Sequence, residues 1–208
     1  MNIPGTLYII SAPSGGGKTS LVNALLESVS NLEISISYTT RPPRPGEKNG
    51  VDYYFVDPTS FDQLVAQHVF LEHALVFNHH YGTSLAWVLE KLQAGIDIIL
   101  EIDWQGAQQI RKKIPQAVSI FILPPSWETL EKRLRLRAQD DERVIERRMA
   151  EARAELIHYD EYDYLVLNDN FASALADLNA ILRVRRLRSD VQKREHALLL
   201  NTLLNKPF

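Results

Sequence analysis

One stretch near the start of the chain constrains the fold more than any other. Residues 6–12 (TLYIISA) form a nearly continuous apolar run rich in β-branched and aromatic residues, which predicts a strand buried on both faces. The segment PSGGGKTS follows, and after it apolar residues recur at helical spacing, namely Leu21, Val22, Leu25, Leu26 and Val29. The order strand, glycine loop, helix predicts the opening unit of a parallel α/β sheet.

The glycine loop has the composition of a phosphate-binding loop. Ala12-Pro-Ser-Gly-Gly-Gly-Lys-Thr19 matches G-x-x-x-x-G-K-[ST], except that Ala12 replaces the first glycine and must therefore keep an ordinary backbone conformation. Lys18 is expected at the β- and γ-phosphates of a nucleoside triphosphate, and the Thr19 hydroxyl as a Mg²⁺ ligand. The residues expected around the triphosphate are Ser14, Gly15, Gly16, Gly17, Lys18, Thr19 and Ser20. A flexible glycine turn before an ordinary helix is the alternative.

Later segments repeat the strand-then-helix order. The apolar runs at 96–102, 117–123 and 164–167 are each followed by a helical pattern, which predicts a doubly wound parallel α/β sheet of phosphate-loop kinase type. Residues 33–83 differ, because short alternating segments surround a proline- and glycine-rich loop, and we expect a small mixed α/β insertion there. Residues 1–32 and 84–208 then form the core domain, a division that suits a chain of 208 residues.

Composition excludes several classes of protein. The net charge of −3 gives no support for general nucleic-acid binding, and the absence of cysteine excludes a disulfide scaffold, a thiolate zinc site and a cysteine nucleophile. The amino-terminal residues lack the basic region of a signal peptide, and no stretch has the apolar length of a spanning helix. We therefore expect a cytoplasmic protein that binds neither membrane nor nucleic acid.

Two further groups of side chains can serve phosphate chemistry. Glu101 and Asp103 end the run at 96–102, where ligands bind in such sheets, and can hold Mg²⁺ through water; Asp103 is alternatively a cap of the next helix. Arg41 and Arg44 flank a Pro-Pro pair that stiffens their loop, so both can be directed at one anion. Hydroxyl donors for the same anion are available from Tyr53 and Tyr81. A solvated basic loop is the alternative for the two arginines.

At this point the chain resembles the guanylate kinase family. The resemblance is carried, in order, by SAPSGGGKT, the block at 37–53 (SYTTRPPRPGEKNGVDY), Phe70-Leu-Glu72, Tyr81-Gly-Thr83 and Glu101-Ile-Asp103, and it covers roughly residues 6–170. It implies that the nucleoside end of an acceptor GMP is faced by Ser37, Glu72, Thr83 and Asp103. It also implies that the acceptor phosphate is held by Arg41, Arg44, Tyr53 and Tyr81. The family often has Asp where Glu101 stands, so the water-mediated role of Glu101 stays open.

The chemistry of guanine agrees with the implied role of Glu72. Guanine presents N1–H and an exocyclic amine as neighbouring donors, and an ionised carboxylate accepts both. Adenine presents an unprotonated N1 there, which would leave the carboxylate without a partner. From the residues alone, a solvent-facing acid on a strand is the alternative, and ordinary strand or turn hydroxyls are the alternative for Ser37 and Thr83.

A third region, residues 130–153, is unusually rich in arginine. The resemblance implies a helical lid over ATP, with Arg133, Arg137 and Arg148 facing phosphate. It also implies that Asn168 lies near the base of the donor nucleotide, for which a plain turn asparagine is the alternative. Acidic residues alternate with the arginines, so ion pairs on the helix surface explain some of them.

Together these features predict a kinase that transfers the γ-phosphate of ATP to GMP, and to dGMP, with Mg²⁺ as cofactor. The catalytic residues expected are Lys18, Arg41, Arg137 and Arg148. Two alternatives remain at this point, a kinase for another nucleoside monophosphate and a binding module that has the same fold but no catalysis.

Overall fold

The computed structural model describes residues 4–137 and 142–205, with only the backbone of 137, 142 and 143. The strands are β1 Leu7–Ser11, β2 Leu32–Ile34, β3 Tyr38–Thr39, β4 Tyr54–Phe55, β5 Phe70–Val76, β6 His79–Ser84, β7 Asp97–Glu101, β8 Val118–Leu123 and β9 Tyr164–Leu167. The helices are α1 Lys18–Ser28, α2 Pro58–Ala66, α3 Leu85–Gln93, α4 Trp104–Lys113, α5 Trp127–Arg137, α6 Glu142–Leu156, α7 Phe171–Arg186, α8 Ser189–Glu195 and α9 Ala197–Leu204.

The central sheet is parallel and has the strand order β2-β7-β1-β8-β9. All five residues of β1 are buried, as the apolar run predicts. Its side chains alternate between two cores: Tyr8 and Ile10 pack with α1 and α7, whereas Leu7 and Ile9 pack with α3 and α4. Helices therefore cover both faces, and the prediction of a doubly wound α/β sheet is confirmed.

A second sheet of four strands, in the order β4-β3-β6-β5, is built from the inserted part of the chain. It is mixed, because β3 pairs in parallel with β4 but antiparallel with β6. Strand β2 belongs instead to the central sheet, where it pairs with β7. The insertion boundary expected at residue 33 thus falls inside a strand of the central sheet.

The parallel register brings the candidate residues to one sheet edge. Ile10 of β1 lies opposite Glu101 of β7, so the loop that follows β1 and the acids that end β7 are neighbours. Helices α5 and α6, which contain the arginine-rich region, pack against each other beside this edge. The carboxyl edge of the central sheet is where ligands bind in open α/β folds.

The carboxyl-terminal part of the described chain is helical. Helix α9 is apolar, but it has only eight residues, and its leucines are largely exposed. No helix within residues 4–137 and 142–205 has the length and apolar character to cross a membrane.

Candidate active site

The loop after β1 takes its shape from glycine. Gly15 and Gly17 have φ values of 85° and 92°, a region that side chains disfavour, and Gly16 N–H donates to the Pro13 carbonyl at 2.8 Å. Ala12 does not adopt positive φ, as we expected of a residue with a Cβ. Helix α1 begins at Lys18, so its unpaired N–H groups point toward the same loop. The segment has the geometry of an anion-binding turn at a helix N-terminus.

Asn168 and Arg133 support this loop from behind. The Asn168 side-chain amide donates to the Gly16 carbonyl at 2.8 Å, and Arg133 Nη2 donates to the Asn168 carbonyl at 3.1 Å. A Cβ on Gly17 would collide with the Asn168 amide. Asn168 therefore fixes the loop conformation, a contact that its sequence position did not reveal; its expected place beside a donor base stays a prediction.

Lys18 and Thr19 reach toward the end of β7. Lys18 Nζ lies 3.4 Å from the Ile102 carbonyl oxygen, and the Thr19 hydroxyl donates to Glu101 Oε1 at 2.5 Å. A hydroxyl and a carboxylate side by side are the oxygen ligands that Mg²⁺ takes together with phosphate and water. The pair expected at the metal from the sequence is thus in contact.

The insertion brings its basic residues to the opposite wall. Arg41 Nη2 forms a two-pronged ion pair with Glu47 at 2.8 and 2.9 Å, and this hydrogen bond holds the pKa of Glu47 below its usual range. The Arg41 guanidinium lies 5.3 Å from the Tyr53 ring centre. Burial raises the pKa of Tyr53 to about 12, so its hydroxyl stays a donor at neutral pH. Arg44 is exposed beside this pair.

Glu72 lies on β5 and is almost fully buried. Its Oε1 accepts a hydrogen bond from the Thr83 hydroxyl at 2.5 Å. Burial, with a smaller contribution from nearby Asp103, raises the pKa of Glu72 to about 7. Glu72 is not the solvent-facing strand acid that its sequence position alone suggested. A buried carboxylate beside open space can receive paired donors from a ligand.

Asp103 caps helix α4. Its Oδ1 accepts from Gly106 N–H at 3.0 Å, and its Oδ2 accepts from the Gln105 amide at 3.0 Å. Asp103 therefore has the capping role that was the alternative from the sequence, and its carboxylate also lines the cleft. A ligand role would be an additional one.

Helix α6 brings two charged groups to the phosphate loop. Arg148 Nη2 donates to the Ser14 hydroxyl at 3.2 Å, and Ser14 N–H donates to Glu155 Oε2 at 2.8 Å. Burial raises the pKa of Glu155 to about 7, and the positive charge of Lys18 acts against that rise. Sequence reasoning missed Glu155, whose only signal was its place seven residues after Arg148, on the same face of a helix.

Not every predicted residue lies in the cleft. Ser20 is exposed on α1, Thr83 is buried behind Glu72, and Arg133 lies behind the loop with Asn168. The side chain of Arg137 is outside the described residues. Ion pairs account for two further arginines, since Arg135 pairs with Glu131 and Arg147 with Glu151 one helical turn apart.

The remaining predicted residues line one cleft of about 260 Å³. They are Ser14, Gly15, Gly16, Gly17, Lys18 and Thr19 from the loop, Ser37, Arg41, Arg44, Tyr53, Glu72 and Tyr81 from the insertion, Glu101 and Asp103 from the sheet edge, and Arg148 from α6. The glycine loop and a set of basic, hydroxyl and carboxylate groups from the insertion and the sheet edge thus line a single cavity.

Comparison with known proteins agrees with this arrangement. Residues 4–185 match the model of the family described as Guanylate kinase. The chain belongs to the guanylate kinase family. Two curated relatives bear the same name: one from Alkalilimnicola ehrlichii is 57% identical over 201 residues, covering 97% of this chain and 98% of the relative. The other, from Saccharophagus degradans, is 55% identical over 205 residues, with coverage of 99% and 100%.

One solved structure supports the same family, and a second supports the fold. A guanylate kinase from Anaplasma phagocytophilum superposes with a TM-score of 0.76 at 34% sequence identity and covers 92% of both chains. TT1252 from Thermus thermophilus has a TM-score of 0.52 at 17% identity over 89% of this chain and 99% of its own, which supports the fold alone. The resemblance drawn from the sequence is therefore confirmed at the level of family.

Proposed function

We propose that this guanylate kinase family member transfers the γ-phosphoryl group of ATP to GMP, giving ADP and GDP. The observation that carries the proposal is the single cleft in which the Lys18 loop faces Arg41 and Glu72. One wall suits a triphosphate, and the other offers a cation for a second phosphate and a buried acceptor for a base. The curated relatives that carry the name guanylate kinase support the choice of GMP. We place the reaction in the cytoplasm and extend it to dGMP.

Base selection rests on Glu72. Its carboxylate is buried and holds one hydrogen bond from Thr83, so a ligand that supplies two further donors offsets the cost of ionisation. Guanine supplies N1–H and an amine side by side, whereas adenine presents an acceptor. The mismatch would leave a desolvated charge unpaired, which is the kind of penalty that discriminates strongly between substrates.

The transfer itself needs no general base. The second pKa of a phosphate monoester is near ~6, so the GMP phosphate is largely dianionic at neutral pH and already nucleophilic. Arg41 and Arg44 orient this phosphate, and Lys18 and Arg148 neutralise charge on the transferring group. Arg133, Arg137 and Asn168 serve the donor side, and Ser37, Tyr53, Tyr81, Thr83 and Asp103 the acceptor side.

Mg²⁺ fits the residues present, because the Thr19 hydroxyl and the Glu101 carboxylate converge beside the loop. Thr19 would bind it directly and Glu101 through water. Held there beside ATP, its positive charge would offset the negative charge of the phosphates during transfer.

A coupled assay of ADP formation tests the proposal, with ATP, Mg²⁺ and GMP, dGMP, AMP, UMP or dTMP in parallel. We expect kcat/KM for GMP to exceed that for AMP roughly a hundredfold or more, on the argument for an unpaired buried acceptor. Equal rates with AMP would overturn the guanine assignment. The Lys18→Ala variant is the control for contaminating kinases, since its residual rate sets the background.

A further inference from the structure

The backbone conformation at Gly106 does not require a glycine. It is the third residue of α4, it is buried, and its φ is not in the positive region. Glycine is a poor helix former compared with alanine, because it has more backbone freedom to lose on folding. A residue that weakens the first turn of a helix calls for another explanation, and its surroundings supply one.

The missing side chain makes room for the carboxylate of Glu72. A Cβ built on Gly106 would lie 2.5 Å from Glu72 Oε2, 3.1 Å from Glu72 Cδ and 3.2 Å from Ile102 Cδ1. Ordinary van der Waals contact begins near 3.4 Å, so a methyl group would displace the carboxylate by about 1 Å. Glu72 cannot simply turn away, because its other oxygen is held by Thr83 and its side chain is buried.

We propose that Gly106 is a positioning residue for acceptor specificity, because its lack of a side chain seats the Glu72 carboxylate where it meets the acceptor base. The expected effect on GMP kinetics rests on the proposed function, whereas the steric conflict between a side chain at position 106 and Glu72 does not depend on it. Gly106 N–H also donates to Asp103, so the same residue links the helix cap to the base-recognising acid. A displacement of about 1 Å at a positioned group is enough to cost up to ~100-fold in rate.

The kinetic test is a double-mutant cycle of Gly106→Ala and Glu72→Ala. If Gly106 acts through Glu72, Gly106→Ala lowers kcat/KM for GMP by about ten- to a hundredfold in the wild-type background and less than about threefold in Glu72→Ala. In the wild-type background, Gly106→Ala leaves the KM for ATP unchanged and narrows the preference for GMP over AMP. Equal losses in both backgrounds would overturn the inference. Glu72→Ser, equally short, replaces Glu72→Ala if that variant does not fold.

Gln109→Ala is the matched control. Gln109 lies on the same helix, and its side-chain amide donates to the backbone carbonyl of His73, next to Glu72, at 2.7 Å. The Gln109→Ala substitution therefore loosens the packing of α4 on β5 without placing an atom against the Glu72 carboxylate. A loss of GMP specificity in Gln109→Ala as large as that in Gly106→Ala would mean that general loosening, not steric seating, sets specificity.

Melting temperature gives a readout that does not depend on activity. Gly106→Ala should lower the melting temperature when Glu72 is present, because the methyl group strains a buried carboxylate. It should raise the melting temperature in Glu72→Ala, because the carboxylate is absent, the Ile102 Cδ1 atom at 3.2 Å has little to move, and alanine is the better helix former. A melting temperature that falls equally in both backgrounds contradicts the inference, whereas absence of GMP turnover by the wild-type chain contradicts only the proposed function.

Discussion

Glu72 should make the protein less stable as the pH rises through neutrality, because its buried carboxyl group loses its proton only at a free-energy cost. Burial raises the pKa of Glu72 from its ordinary value of 4.5 to about 7. The folded protein therefore binds this proton more tightly than the unfolded chain does. The resulting stabilisation is complete below about pH 4.5 and is lost as the pH rises through about 7.

The size of the effect follows from the two pKa values. Each pH unit between them corresponds to about 1.4 kcal/mol, so the whole contribution is roughly 3 kcal/mol. Because most of this range lies between pH 5 and pH 8, roughly 2–3 kcal/mol should be lost there. That is a large share of the ~5–15 kcal/mol by which domains are stable.

The measurement is chemical unfolding of the wild-type protein and of Glu72→Gln at several values between pH 5 and pH 8. Gln does not titrate and keeps an oxygen that can accept from Thr83, so the difference between the two variants isolates Glu72. Other groups, including Glu155, titrate in both proteins and cancel. Relative to the wild type, Glu72→Gln should gain about 2–3 kcal/mol from pH 5 to pH 8. A difference that does not change with pH, or that changes in the opposite direction, refutes the reasoning.

Protonation of Glu72 should also make the affinity for GMP depend on pH. Guanine donors favour the ionised carboxylate, so binding must remove the proton from Glu72, and affinity should fall about tenfold per pH unit below 7. The GMP phosphate also titrates near this range, but it does so equally with Glu72→Gln. Calorimetric titration of both proteins therefore separates the two effects.

Three further predictions address the other charged groups. Arg41→Ala should weaken GMP binding about ten- to a hundredfold while leaving ATP binding nearly unchanged in calorimetry, because its charge lies on the acceptor wall; selective loss of ATP affinity would contradict this map. Lys18→Ala should mainly lower kcat, since its charge acts where the phosphoryl group passes, and a change confined to the KM for GMP would argue against it. Arg148→Ala should lower kcat roughly ten- to a thousandfold with little change in GMP affinity, and unchanged kinetics would leave it a surface arginine.

The features that the sequence predicted well are those whose cause is local. The buried strand β1, the glycine loop and the start of α1 occupy adjacent residues, and each has a strong preference of its own. The parallel sheet followed from repeated strand-then-helix units for the same reason. The insertion boundary expected at residue 33 falls inside β2. This strand has only three residues, and its place in the central sheet is set by pairing with β7, which is distant in sequence.

Other parts of the site depend on contacts between distant residues. Glu155 reaches Ser14 across 141 positions of sequence, and Gly106 meets Glu72 across two different elements. Nothing in the local pattern of an acidic, arginine-rich helix distinguishes an acid that faces the cleft from one that pairs with a neighbour. The residues expected at the nucleoside end, Ser37, Glu72, Thr83 and Asp103, likewise came from the family resemblance, because they are spread over a loop, two strands and a helix N-terminus. Arg41 and Arg44, in contrast, were indicated by their own proline-stiffened loop.

The cleft is less positively charged than its number of arginines and lysines suggests. Repulsion among bare cations would be costly, yet Arg41 is paired with Glu47, and Glu155 lies against the Ser14 N–H and near Lys18. Each wall expected to hold phosphate thus already contains a carboxylate of its own. A nucleotide bound as proposed would compete with these groups, and a phosphate with two charges and three acceptor oxygens would compete better than a singly charged anion. The carboxylates of Glu47 and Glu155 therefore favour polyanionic ligands, because an anion must interact with the cationic groups more strongly than these carboxylates do.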